Sequence, residues 1–221
     1  MTELTYSDPV YRIAGMADRR IEFLVELLDE PETDIGGALS VLALTDNVAR
    51  QALGQIQAMP ESDQYHGPYA SLAMLPFLRP FRARFNDATF GAWYAADNAA
   101  TAYHGKRFHL VRWLSQSKGQ RYDLALRVIS ARLAAPLLNA RRDQVPADVY
   151  DPDPVRYDAA NALARDARNG GAHGLLYDSV RRDGFRCVAI FRPSIIDSLS
   201  IESELRLEWD GGDLRGFSAI E

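Results

Sequence analysis

Residues 84–114 read RFNDATFGAWYAADNAATAYHGKRFHLVRWL, and the fold turns on this stretch. The segment FRARFNDATFG (81–91) has the Arg, Asn, Asp and Gly of a loop. It leads into Ala92-Trp-Tyr-Ala-Ala96, a predicted strand, and Asp97-Asn98 then offers an N-cap to a helix running to about Leu114. Ala102, Phe108 and Trp113 are available for its buried side. Upstream the chain reads as helical. Ile21, Leu24, Val25, Leu27 and Leu28 recur at helical spacing, and a second run from Ile35 to Leu53 sets Leu39, Leu42, Ala43 and Leu53 mostly on one face. Val10–Ile13 before them fits a short strand, and the apolar run Ala70 to Leu78 stops at Pro80. Downstream, Leu124, Leu126 and Val128 alternate with Ala125, Arg127 and Ile129, as in a strand buried more on one face. Asp151 to Asn169 reads as a helix ending at Gly170-Gly171, and Gly174–Tyr177 and Cys187–Phe191 as inner strands. The turn DGGD between Leu205–Trp209 and Leu214–Phe217 signals a hairpin. Helices first, then strands mixed with two helices, make an α+β fold rather than a regular βαβ alternation. Ala92–Ala96, Leu124–Ile129, Gly174–Tyr177 and Cys187–Phe191 are expected in one sheet. Residues 1–221 are expected to form a single domain, with 1–78 a helical extension packed on a core of 79–221.

Charge narrows the function classes. The 221 residues hold 25 Lys and Arg against 30 Asp and Glu, a net charge of -5, which removes the long-range pull toward nucleic acid or anionic membranes. Only Lys106 and Lys118 are lysines, an arginine skew that fits a GC-rich genome better than a function. The single Cys187 cannot form an internal disulfide. With no membrane-length apolar run and no basic-then-apolar leader at MTELTYSDPVYR, a cytoplasmic soluble protein is expected.

Several common catalytic signatures are missing from the sequence: no Gly-rich phosphate loop ending in Gly-Lys-Ser/Thr, no G-x-S-x-G, no H-E-x-x-H and no C-x-x-C. His104 and His109 fall on divergent sides of a helix without a Cys or Glu nearby, so they read as partly exposed structural histidines and no metal is expected. Cys187, in an apolar run, reads as an inert core thiol.

The stretch 84–114 resembles the central motif of RES-domain proteins: Arg-Phe, a short loop, Gly, an aromatic pair, Ala-Ala, and a Thr-Ala opening a helix. GAHGLLYDSVRRDGFRCVAIFRP (171–193) is similar to the second motif of that family, Gly-hydrophobic-hydrophobic-Tyr-x-Ser-hydrophobic-Arg followed by a Cys-Val-Ala strand. TYSDPVYRI, ALSVLALTDNVARQALGQI, PYASLAM and LRLEWDGG resemble its longer variant, so the likeness spans nearly the whole chain in order. The resemblance implies a bacterial toxin with a fold like the ADP-ribosyltransferases, a mixed β-sheet core with flanking helices. It implies a toxin that consumes NAD as its substrate and is neutralised by an Xre-type antitoxin. Any DNA contact of such a pair would come from the partner. On the same resemblance Arg84 would grip the NAD pyrophosphate through its planar fork of donors. Tyr94 would stack on the cationic nicotinamide ring. Thr101 and Ser179 would line the pocket as hydroxyl donors, with Arg181 beside them. Each has a local alternative: an Arg paired with a loop carboxylate, a core Tyr, a helix-end Thr, a turn Ser.

One position departs from the family pattern. The family places a Glu on the helix after the tyrosine strand; the ungapped alignment puts Gly105 there, and matching Tyr103-His104 to the family's Tyr-His pair puts Ala100 there. The chain has no Glu between Glu61 and Glu202. Cleavage of the nicotinamide–ribose bond passes through an oxocarbenium-like state that a carboxylate near the ribose stabilises. Nicotinamide leaves without needing a proton, so the loss should slow chemistry far more than it weakens binding. Asp97 or Asp87 could substitute, and His104 only if neutral. Two readings follow: an NAD-cleaving enzyme by hydrolysis, phosphorolysis or ADP-ribosyl transfer, or a catalytically impaired relative that acts by binding NAD or a partner.

Overall fold

The computed structural model describes residues 1–15, 28–29, 35–44, 46–117 and 119–216. Among them run nine strands and five α-helices: β1 (Glu3–Leu4), β2 (Val10–Gly15), α1 (Ile35–Leu42), α2 (Asn47–Ala58), α3 (Ala70–Leu78), β3 (Trp93–Ala96), α4 (Ala99–Leu114), β4 (Tyr122–Leu133), β5 (Leu137–Asn139), α5 (Asp158–Asn169), β6 (Gly174–Asp178), β7 (Arg186–Ile190), β8 (Ile196–Trp209) and β9 (Leu214–Arg215). The strands form one sheet in the order β1-β5-β6-β7-β3-β2-β4-β8-β9. The β5–β6 pair is parallel and the other pairs are antiparallel, so the sheet is mixed and the class is α+β. All four segments expected to share a sheet do so.

Local chemistry explains where the elements differ from the sequence expectation. The run Ile35 to Leu53 is two helices. Asp46 is extended and its carboxylate accepts the Ala49 N–H at 2.8 Å, so it caps α2 and interrupts the run. Leu39 and Ala43 are buried as expected, whereas Leu42 is exposed and Ala49, Ala52 and Ile56 form the buried side of α2. The expected helix 151–169 begins only at Asp158, because Pro152 and Pro154 lack the N–H a continuous helix needs. A short 3-10 turn at Pro154–Arg156, capped by Asp153, occupies that stretch, and another at Ala147–Tyr150 precedes it. Strand β8 starts at Ile196, well before the expected hairpin arm. Its outward Ser, Glu and Asp residues hide the period, and its length comes from pairing with β4 along Ile196–Trp209. The expected helix around Ile21 lies outside the described residues apart from Leu28, which is buried, and Phe217 also lies outside them.

Helices α1 to α3 cover one face of the sheet. Leu39, Ala52, Ile56, Ala73 and Phe77 share a core with Trp93, Ile129 and Ile190. A second core joins α5 to Phe85, Phe90 and Leu175, and a third joins α4 to Ile13, Val128 and Trp209. Fully sealed side chains such as Trp93 and Ile190 each contribute roughly 1.5–3 kcal/mol.

The approach to β3 is steered by Gly91. A Cβ there would lie 2.2 Å from the Pro76 carbonyl oxygen and 2.6 Å from the Phe77 Cα, both backbone atoms of α3 that cannot swing aside. Gly91→Ala is therefore expected to cost about 3 kcal/mol, at the upper end of overpacking penalties. Urea denaturation should show the midpoint falling at constant m-value. A change under about 0.5 kcal/mol would mean that α3 yields to the methyl group.

Candidate functional site

Strand β3, the loop before it and the helix after it converge on one side of the sheet. The loop is held by amides: Asn86 Nδ2 donates to the Phe81 carbonyl at 2.6 Å, and Asn161 Nδ2 of α5 donates to the carbonyls of Ala83 and Arg84, both at 2.7 Å. Tyr94 closes the loop onto the sheet. Its hydroxyl accepts the Phe85 N–H at 2.8 Å and donates to Asn86 Oδ1 at 2.7 Å, and burial raises its phenol well above the usual value. Arg84 is buried; its Nη1 donates to the Val149 carbonyl at 2.9 Å and its guanidinium lies 4.4 Å from the centre of the Tyr157 ring. Among the described residues it has no carboxylate partner.

The other wall is the turn between β6 and β7. Ser179 N–H donates to the Phe185 carbonyl at 2.7 Å, and its Oγ accepts the N–H groups of Arg181 and Arg182 at 3.3 and 3.1 Å. Ser179 thus builds the turn, the local role its residue type allowed. The turn aims two arginines at α4. Arg182 Nη1 donates to Asn98 Oδ1 at 3.2 Å and to Thr101 Oγ1 at 3.3 Å, which ties the buried Thr101 to the turn. Arg181 lies 3.4 Å over the Phe108 ring and donates to the Pro152 carbonyl at 2.6 Å. Arg84 acts electrostatically on Tyr94, Tyr150, Tyr177, Arg181 and Cys187, which places all of them in one neighbourhood. His109 has its pKa lowered first by partial burial and then by the charges of Arg181, Lys106, Arg112 and Arg84. Burial pushes the Cys187 thiol up to about 12, so it stays protonated.

Three further cations were not legible as site residues. A cavity of about 400 Å³ opens where β2 runs past the start of β3, and Arg12, Arg79 and Lys106 line it together with Ser71 and Phe81. Arg12 Nη1 donates to the Tyr94 carbonyl at 3.0 Å and the guanidinium stands 5.4 Å from the Trp93 ring centre, while its Nε is sealed from solvent without an acceptor. Burial pulls the Arg12 pKa down to about 10 and, with Arg12 nearby, the Lys106 pKa down to about 8. Arg12 could have been noticed as the one charged residue in the strand Val10–Ile13. Lys106 had only its rarity to mark it.

The carboxylates Asp87 and Asp97 are both hydrogen-bonded within the fold. Asp87 is held at about 2 by burial outweighed by bonds from Thr89 and Arg165, an anchor between the loop and α5. Asp97 accepts the Arg186 N–H at 2.9 Å and Asn98 Nδ2 at 3.0 Å. His104 is exposed, its ring 6.3 Å from that of Tyr103. Gly105 shares its helix face with Thr101 and His109, and nothing lies within 4 Å of the point a Cβ would occupy.

The family model for the RES domain matches residues 58–210, more than half of the chain. The chain belongs to the RES domain family. No curated protein sequence matches it. Among solved structures it is similar to a chain in the crystal structure of the M. tuberculosis MbcT-MbcA toxin-antitoxin complex, at 15% identity and a TM-score of 0.47, over 93% of this chain and 86% of that one. Among the described residues no group of His, Cys, Asp and Glu is arranged to hold a metal, and no helix is long and apolar enough to cross a membrane.

Proposed function

We propose that the chain is a RES-type toxin whose ligand is NAD, that it acts in the cytoplasm on the nicotinamide–ribose bond, and that an Xre-type antitoxin silences it by covering the cleft. The observation that carries this reading is two buried guanidiniums without a carboxylate partner among the described residues: Arg12, bonded to the Tyr94 carbonyl, and Arg84, bonded to the Val149 carbonyl. Burying unpaired cations is costly, and a ligand anion repays the cost on binding. NAD brings a pyrophosphate for the arginine forks and a cationic ring for the partly exposed face of Tyr94. In this reading Arg181 adds charge at the mouth, while Ser179 and Thr101 hold the arginine turn against α4. Residues 1–78 would belong to one domain with 79–221, since their strands β1 and β2 are part of the sheet, β2 lying between β3 and β4.

Gly105 supports a second reading, a relative that binds NAD or a partner and turns NAD over slowly. Titration calorimetry with NAD, run beside nicotinamide release with and without phosphate, tests both. Binding with slow release favours the second reading, binding with fast release the first, and absence of binding rejects NAD for both. The isolated chain should not retard DNA at physiological salt, given its net charge of -5.

NAD affinity should also depend on pH in a defined direction. Lys106 has its pKa near 8 in the free protein, and a bound anion raises it, so binding takes up a proton above that pH. Affinity should be flat below about pH 8 and fall by at most about tenfold per pH unit above it. Lys106→Gln should flatten the profile. An unchanged profile in that variant would remove Lys106 from the ligand's surroundings.

A further inference from the structure

We propose that Lys106 is itself an acceptor of the ADP-ribosyl group, its neutral amine attacking C1′ of the nicotinamide ribose so that the protein ends with ADP-ribose bonded inside its own cavity. The inference rests on the NAD reading above. Its basis is placement. Lys106 projects from α4 into the cavity shared with Arg12 and Arg79, and its Nζ makes no hydrogen bond or ion pair among the described residues. Lys106 follows Gly105 on α4 and points about 100° around the helix from it, toward the cavity rather than toward the Thr101 face.

Other nucleophiles near the cavity are occupied. Ser71 Oγ donates to Asp29 at 2.8 Å, Thr101 is buried with its oxygen bonded by Arg182, and the Cys187 thiol is protonated. The groups facing Lys106 are cations, Arg12 and Arg79 from the cavity walls, with no described carboxylate to hold its proton. In the free protein, with a pKa near 8, roughly one-tenth of the amine is neutral at pH 7, against well under a thousandth for an ordinary lysine; a bound anion lowers that fraction, so the attack is expected to gain from raised pH. Proximity then offsets part of what the missing carboxylate forfeits, because the nucleophile is already in the pocket.

The step balances without a co-reactant. The C1′–N bond to nicotinamide breaks and its electron pair returns to the ring, which leaves neutral. The Nζ lone pair forms the new C1′–N bond, and the surplus proton on Nζ passes to solvent. Neither partner is oxidised or reduced. Each chain can react once, and the bound ADP-ribose then blocks the cavity.

The full chain is incubated with NAD at several pH values, nicotinamide is quantified, and intact mass and peptide mapping locate any adduct. Mapping is simple because Lys106 and Lys118 are the only lysines. Free ADP-ribose replaces NAD in a control, and pyridoxal 5′-phosphate with borohydride reports the amine's reactivity independently. The expected result is one ADP-ribosyl group per chain on Lys106, accompanied by one nicotinamide, forming about tenfold faster per pH unit below pH 8 and absent in Lys106→Arg. Nicotinamide release without an adduct, an adduct elsewhere, or equal labelling by free ADP-ribose overturns the proposal. If pyridoxal phosphate labels Lys106 while NAD neither binds nor loses nicotinamide, the NAD reading has failed and the transfer falls with it. If NAD is cleaved but Lys106 resists both reagents, the acceptor proposal alone has failed.

Discussion

Gly105→Glu is expected to accelerate nicotinamide release from NAD by about 10² to 10³, the effect of roughly 3 to 4 kcal/mol from one preorganised group facing developing charge. The helix is ready for the change. Nothing lies within 4 Å of the Cβ position, and the residue shares a face with Thr101 and His109, toward the arginine turn. Arg84, Arg181 and Lys106 set a positive field around that face, as their action on His109 shows, and would keep a new carboxylate ionised. Replacing a mid-helix Gly also adds roughly 0.5 to 1 kcal/mol of stability, so melting and turnover should rise together. The gain should appear in kcat more than in KM, because the carboxylate meets positive charge that exists only in the transition state. Vigorous turnover by the native chain, lost in Asp97→Ala and not raised by Gly105→Glu, would show that the acid had moved.

The fold was legible wherever the sequence carried a period or a punctuation mark. Asn98 announced α4, and the alternation of Leu126 and Val128 announced the buried face of β4. The split between α1 and α2 was not legible, since one Asp inside an apolar run is compatible with either a solvated helix face or a cap, and only its extended backbone decides. The start of β8 was hidden for a related reason: its face toward solvent is polar, and its length is set by pairing with β4 rather than by its own pattern. The site was legible in part. Arg84, Tyr94 and Arg181 sit in motifs that are contiguous in sequence and come together in space. Arg12 is separated from Tyr94 by most of the helical extension, and only strand pairing of β2 with β3 reveals their contact. The oxygens of Ser179 and Thr101 bond the turn and Arg182, a partnership that neither motif encodes.

Arg12→Met should move affinity and stability in opposite directions. Loss of a charge-assisted contact to the pyrophosphate is expected to weaken NAD binding by about 10- to 100-fold, equivalent to roughly 1.5 to 3 kcal/mol. The ligand-free protein should instead gain about 1 kcal/mol, which for a chain of this length raises Tm by roughly 2 to 4 °C. The gain follows from what Arg12 lacks: its Nε is sealed with no acceptor, burial depresses its pKa, and no described carboxylate compensates its charge. Met keeps the length of the side chain against Trp93 and removes the desolvated cation, and such replacements of buried charge by apolar volume are often stabilising. Against the gain stands one bond, from Nη1 to the Tyr94 carbonyl at 3.0 Å, typically worth about 1 kcal/mol net. If Arg12 were held only as a strut for β3, the variant would melt lower and bind NAD as before. A higher Tm with weakened binding is the signature of a residue kept charged for its ligand at the expense of the fold.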